Sequence, residues 1–138
     1  MAELANHVRR FCKDILRQYP LMKQELARLE EERRAIAGTV SVATWQEPVR
    51  VKAIGDRTAT QAFKLLRLEE AWRQMRFYVQ AVEDLLAYLP EEKRRLVELR
   101  FFDGFPPWQV AHELNTCESN VYRWQQEALV LLAHRLGL

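Results

Sequence analysis

A repeat of apolar residues at alternating steps of three and four runs through the middle of the chain. Its members are Leu65, Leu68, Trp72, Met75, Val79, Val82, Leu86 and Leu89. This is the a/d pattern of a helix that packs along its length against another helix, and a strand, whose side chains alternate with a period of two, does not produce it. The repeat therefore predicts a long central helix with a packed apolar seam.

The predicted central helix spans residues 57–89, with Asp56 as its cap. It ends there because Pro90 disfavours helical geometry in the residue before it. A second apolar stripe indicates burial on more than one side, and it consists of Phe63, Leu66, Phe77, Ala81, Leu85 and Tyr88. At about 1.5 Å per residue, this helix would be roughly 50 Å long, too long for a short partner helix to cover. We therefore expect a homodimer, joined through Leu65, Leu68, Trp72, Met75, Val79, Val82 and Leu86.

The residues before the central helix predict an N-terminal helical hairpin over residues 1–37. Apolar residues at helical spacing, beginning at Leu4, predict a first helix that ends near Pro20, and a second that ends at Gly38. Residues 38–56 lose the helical period. The alternation of Val40 and Val42, followed by a second pair at 49 and 51, fits either a small two-stranded hairpin or a flexible linker.

Composition favours an all-α protein and argues against several functions. Four glycines and five prolines among 138 residues are typical of helical chains. The sequence has no Gly-rich phosphate loop, no HExxH motif and no recognisable nucleophile set, so we predict no enzyme and no cofactor. Cys12 and Cys117 suit a reducing cytoplasm, and their spacing from His7 and His112 matches no common zinc site. We expect a cytoplasmic protein without metal, signal peptide or membrane span.

Residues 90–138 predict three helices. The first closes before the turn at Asp103, the second begins with Pro107 and ends at Leu114, and the third runs from Glu118 to about Arg135. A short helix, a three-residue turn and a longer helix are the elements of a helix-turn-helix. We assign five aromatic residues to the core and the helix junctions: Phe101, Phe102, Phe105, Trp108 and Trp124.

This C-terminal module resembles region four of sigma factors. The residues that match are Leu89-Pro90, Leu99-Arg100-Phe101, Gly104, Val110-Ala111 with Leu114, and Ser119-Asn120-Val121. With the Val121-Tyr122-Arg123-Trp124 run, the long helix and the helical arm, the chain is similar to RinA/ArpU-type late transcriptional regulators of phages and prophages. Pro106 and Cys117 replace the usual hydroxyl caps of the two helices, and Thr116 is an alternative cap for the second.

The resemblance implies a sequence-specific transcription regulator that binds double-stranded promoter DNA, with RNA polymerase as a second partner. When Val121 points inward, the outward face of the third helix carries the candidate base-reading residues Glu118, Ser119, Asn120, Tyr122, Arg123 and Gln126. Candidate phosphate contacts are Lys93, Arg94, Arg95, Arg50, Lys52 and Arg57. The module itself has six Lys/Arg against seven Asp/Glu, which predicts weak binding by a single copy.

Two other functions fit the same sequence. A small terminase subunit also combines a helix-turn-helix with a helical oligomerisation core, and it marks viral DNA for packaging. A protein-binding adaptor that has lost DNA binding would fit the net charge of the module. The C-terminal, sigma-like position of the helix-turn-helix favours transcription regulation.

Overall fold

The structure is a computed structural model that describes the backbone of residues 4–46 and 51–138 and the side chains of residues 4–38 and 59–138. The described residues form helices and no strand. In chain order these are α1 (Asn6–Gln46), α2 (Val51–Tyr88), α3 (Glu91–Val97), a π-helical turn (Glu98–Phe102), α4 (Pro107–Glu113) and α5 (Glu118–Arg135). The predicted all-α fold class is confirmed. None of the helices in the described part of the chain has both the length and the apolarity that crossing a membrane requires.

The chain divides into two compact units, each of which contains part of α1 and part of α2. The terminal unit consists of Met1–Met22 and Tyr78–Leu138, and the middle unit consists of Lys23–Phe77. The C-terminal helices α3 to α5 therefore belong to the same unit as the first half of α1.

In the middle unit, α1 and α2 run antiparallel and are joined around Trp72. The Trp72 indole Nε1 donates a hydrogen bond to Glu30 at 3.1 Å, and the Arg33 guanidinium stacks over the Trp72 ring at 4.5 Å. Arg33 also donates from Nε to Glu69 at 3.3 Å. This seam residue is thus covered by α1 of the same chain.

The core of the terminal unit brings together side chains from all of its helices. Its buried members from α1 and α2 include Leu16, Tyr19, Val79, Val82 and Leu85, and those from the C-terminal helices include Leu96, Phe101, Val110, Val121, Leu129 and Leu132. Burying a leucine or valine side chain contributes about 1.5 to 3 kcal/mol, so these contacts stabilise the unit as a whole.

Tyr19 connects α1 to both α2 and the π-helical turn. Its ring stacks on Phe102 with the centroids 5.0 Å apart, and its hydroxyl donates to Glu83 at 3.2 Å. Burial and then the charge of Glu83 raise the pKa of Tyr19 to about 12. The first half of α1 is therefore held against the C-terminal module by both apolar and polar contacts.

The structure corrects the predicted hairpin of residues 1–37, because α1 continues through Pro20 and past Gly38. Proline inside a helix removes one backbone hydrogen bond and costs about 3 kcal/mol. Here Tyr19 and Met22, on either side of the proline, are both buried, so the packed face continues across it and outweighs the loss. Glycine costs a helix only about 1 kcal/mol, which does not suffice to end one.

The prediction of a small hairpin or linker over residues 38–56 is also corrected. Residues 40–46 belong to α1 and residues 51–56 to α2, so the first strand of the suggested hairpin is absent from the described residues. Residues 47–50, which include Val49 of the suggested second strand, lie outside the described residues. Helix α2 begins at Val51, so Asp56 lies inside the helix and not at its cap. Valine and threonine disfavour a helix by only tenths of a kcal/mol, so their alternation did not exclude one.

The two apolar stripes of α2 differ in exposure. On the seam, Val79 and Val82 are buried in the terminal unit, and the other predicted oligomerisation residues, Leu65, Leu68, Trp72, Met75 and Leu86, are partly buried. On the second stripe, Ala81 and Leu85 are buried, but Phe63 and Leu66 of the middle unit are 66% and 61% exposed. Apolar surface in the middle unit is thus concentrated on the second stripe.

Candidate DNA-binding site

Helices α4 and α5 are joined by a tight turn centred on Asn115. Asn115 has a positive φ of 52°, a left-handed conformation that asparagine tolerates better than most residues. The amide of Thr116 donates to the carbonyl of Ala111 at 2.9 Å, and that of Asn115 donates to His112 at 3.2 Å. This pair of bonds is the Schellman motif, which satisfies the last carbonyls of a helix. The predicted three-residue turn thus closes α4 and redirects the chain into α5.

The start of α5 differs from one predicted alternative. Cys117 is the N-cap, without a side-chain capping bond, and the helix begins at Glu118. The Thr116 hydroxyl is not the cap, because it accepts a hydrogen bond from the side chain of Asn120 at 2.9 Å. The first backbone amides of α5 therefore have no side-chain acceptor at the N-cap. Such amides, at the positive end of the helix dipole, can donate to an anion.

Helix α5 presents two faces. Val121, Ala128, Leu129 and Leu132 are buried, as the periodicity predicted, and Trp124 is partly buried. Among the candidate base-reading residues, Glu118, Ser119, Tyr122 and Arg123 are exposed, whereas Asn120 and Gln126 are partly buried. The first two turns of α5 thus form a continuous polar surface next to the tight turn.

Three polar side chains form a chain of hydrogen bonds on this surface. The Asn120 amide nitrogen donates to Thr116, and its carbonyl oxygen accepts from Arg123 Nη2 at 2.7 Å. The short distance is typical of a charge-assisted bond. Asn120 therefore orients the Arg123 guanidinium, and its own amide is occupied on both sides. The spacings of four and three residues put these side chains on one helix face. This spacing was visible in the sequence, but sequence reasoning missed the role of Thr116.

The predicted phosphate contacts lie in different surroundings. Lys93 forms an ion pair with Glu127 at 2.6 Å, which links α3 to α5 and neutralises the lysine. Arg94 is partly buried and Arg95 is exposed. The side chains of the other three candidates, Arg50, Lys52 and Arg57, lie outside the described residues.

The aromatic residues of the module are not all in the core. Phe101 is buried, and Phe102 and Phe105 are partly buried. Trp108 was assigned to the core and junctions but is 63% exposed in the first turn of α4. The short α4 packs through Val110 and Ala111 on the next turn, which leaves Trp108 on its outer side. Within the described residues, no three His, Cys, Asp or Glu side chains converge as metal ligands would.

Comparison with known proteins agrees with this geometry. No curated protein and no solved structure was found to match the chain. Residues 79–132 match the family model described as sigma-70, region 4. The match covers the end of α2, α3, the π-helical turn, α4 and most of α5. It supports a sigma region four-like helix-turn-helix in these residues and, in general terms, DNA binding in transcription regulation.

Proposed function

We propose that this protein is a sequence-specific regulator that binds promoter DNA through α5. The observation that carries the proposal is the exposed polar surface at the start of α5, where Asn120 holds Arg123 in place. A helix-turn-helix inserts the N-terminal part of its second helix into the major groove, so this is the surface that would meet base edges.

Three side chains on this surface have suitable partners in the major groove. Arg123 keeps donors beyond Nη2 for the O6 and N7 atoms of guanine, which is the commonest specific contact of arginine. Gln126 can pair with adenine, and Glu118 can accept a hydrogen bond from cytosine. The amide nitrogen of Asn120 already donates to Thr116, and its amide oxygen already accepts from Arg123. We therefore assign Asn120 as the residue that positions Arg123.

We further propose that the regulator is encoded by a phage or prophage and is of the RinA/ArpU type, acting in the host cytoplasm with RNA polymerase at the same promoter. The arrangement of a helical arm, a long helix and a C-terminal region four-like module supports this assignment. A terminase small subunit remains the alternative. Sedimentation separates the two, because packaging would require a ring of many subunits.

A homodimer is part of the proposal. The module has one more acidic than basic side chain, so a single copy can release few counterions from DNA. Two linked copies bind far more tightly than one. In the middle unit, the exposed Phe63 and Leu66 beside the partly buried Leu65 and Leu68 supply apolar surface on α2 for a second copy.

The direct test is selection of bound duplexes from a random pool, followed by titration of single variants. Arg123→Ala should weaken binding of the selected duplex by about 1 to 3 kcal/mol and relax the preference at one base pair. Arg135→Ala is the matched control, because Arg135 lies at the other end of α5, 3.9 Å from Asp84. If selection enriches no sequence, or if Arg123→Ala and Arg135→Ala behave alike, α5 is not the recognition helix.

A further inference from the structure

The first half of α1 carries a groove lined only by polar and basic side chains. The groove has a volume of about 330 Å³ and is lined by Asn6, Arg9, Arg10, Lys13 and Arg17. These residues recur at helical spacing, so they form one band along α1 beside its buried face. None of them was assigned a role by the sequence or by the match to the C-terminal module.

Among the described residues, the basic residues of this groove have few of the acidic neighbours that usually accompany solvated cations on a helix. In the middle unit, Arg28 bonds to both Glu25 and Glu32, at 2.9 and 3.0 Å. In the groove, the described side chains form one loose ion pair, of 3.9 Å between Arg17 and Asp14. The four cations therefore repel one another with little compensation, which is unfavourable unless an anion binds.

A cation of the C-terminal module, Arg100, acts electrostatically on one groove residue, although it does not line the groove. Burial and the charges of Arg17, Arg100 and Arg9 lower the pKa of Lys13, so Arg100 of the π-helical turn acts on the same side chain. The Nε atoms of Arg9 and Arg100 are buried and have no hydrogen-bond partner among the described residues. Arg100 also donates from Nη1 to the carbonyl of Phe105, in the loop that precedes α4.

We propose that this groove binds backbone phosphates of the duplex that α5 reads. The inference rests on the proposed function and supplies the positive charge that the module lacks. Because the Tyr19 ring stacks on Phe102 at 5.0 Å, the groove is held in the same unit as the helix-turn-helix. Phosphate contacts position a protein on DNA without reading its sequence. The groove therefore raises affinity for every duplex alike and leaves base preference to α5.

The test is a salt titration of the full-length protein with a 30-base-pair duplex of mixed sequence. The triple variant replaces three of the four groove cations and keeps Arg9. Its substitutions are Arg10→Gln, Lys13→Gln and Arg17→Gln. Glutamine preserves helix propensity. Because each phosphate contact contributes about 0.9 to the slope of log K against log salt, the slope should fall by about 2 to 3. Affinity at 0.1 M salt should fall at least tenfold.

Two further variants distinguish the effect of the groove residues from the effect of removing positive charge in general. The matched control removes the same charge from exposed arginines of the middle unit: Arg34→Gln, Arg67→Gln and Arg73→Gln. The rescue variant keeps the charge but exchanges the side chains: Arg10→Lys, Lys13→Arg and Arg17→Lys. The proposal expects wild-type slopes from both variants. The triple variant, which relieves the repulsion among the groove cations, should unfold at the same temperature as the wild type or at a higher one. The other two variants should unfold at an unchanged temperature. The triple variant should also keep the base preference of the wild type.

Several outcomes would overturn the proposal. If the triple variant and the middle-unit control have equal slopes, the groove binds no phosphate, while the proposed function stands as long as Arg123→Ala still relaxes base preference. If the triple variant loses binding to poly-L-glutamate but not to the duplex, the groove binds an acidic protein instead. If the wild type binds no duplex even at 50 mM salt, the proposed function fails and this inference fails with it.

Discussion

The positioning of Arg123 by Asn120 makes a quantitative prediction about DNA binding. Ordering an arginine side chain costs up to about 2 kcal/mol of rotamer entropy, and the 2.7 Å bond to Asn120 removes part of that cost before DNA arrives. Because this hydrogen bond is exposed to solvent, we expect it to be worth only about 1 kcal/mol in binding. Asn120→Ala should therefore raise Kd for the selected duplex about fivefold.

A double-mutant cycle tests whether the two residues act through one contact. Arg123→Ala should cost about 1 to 3 kcal/mol, and the double variant should cost no more than Arg123→Ala alone. The coupling energy would then equal the whole effect of Asn120→Ala, about 1 kcal/mol. Fluorescence anisotropy with the selected duplex measures all four Kd values under one salt condition.

Thr116 supplies the matched control for this cycle. Thr116→Val removes the hydroxyl that holds the Asn120 amide but keeps the side-chain shape, so it should weaken binding in the same direction and by less. Thr116→Ser keeps the hydroxyl and should bind like the wild type. If the effects of Asn120→Ala and Arg123→Ala add to within about 0.3 kcal/mol, Asn120 does not position Arg123 and the reasoning is refuted.

Three further predictions concern stability and assembly. The pKa of Tyr19 rises from 10.0 to about 12 on folding, so deprotonation of Tyr19 favours the unfolded state at high pH. Between pH 10 and pH 12, the free energy of unfolding of the wild type should fall by about 2 to 3 kcal/mol relative to that of Tyr19→Phe. Below pH 10, the difference between the two proteins should not change with pH. Urea unfolding at several pH values measures this difference, and a constant value between pH 10 and pH 12 would contradict the prediction. Asn115→Ala should destabilise the terminal unit by about 1 to 2 kcal/mol, whereas Asn115→Gly should not, because glycine accepts a positive φ. Equal unfolding midpoints for the two variants would be inconsistent with the left-handed turn. In sedimentation velocity, the double variant Phe63→Glu with Leu66→Glu should be a folded monomer where the wild type is a dimer. Arg67→Glu, which changes the charge by the same amount, is the control and should stay dimeric. A monomeric wild type would contradict the proposed dimer.

The helix-turn-helix was predictable from sequence because its signals are local. Pro107 at the first position of α4, the Asn115-Thr116-Cys117 turn and the period of α5 each act over a few residues, and α5 has the predicted bounds. The all-α class and the end of α2 before Pro90 were predictable for the same reason. The outward face of α5 followed from its period once Val121 was placed inward.

Other features depend on contacts between residues far apart in sequence, and only the tertiary structure decided them. Proline signals a helix end on average, but α1 passes through Pro20 because buried residues on both sides of it pack against the terminal unit. Lys93 and Glu127 are 34 residues apart in sequence, so no local sequence pattern predicts their ion pair. The charge of Arg100 acts on Lys13 of the groove although the two residues are far apart in sequence, and the Tyr19–Phe102 contact helps to hold their helices in one unit. Periodicity identified two apolar stripes on α2, but their relative burial depends on where α1 packs, since a helix buries the face that its neighbour covers.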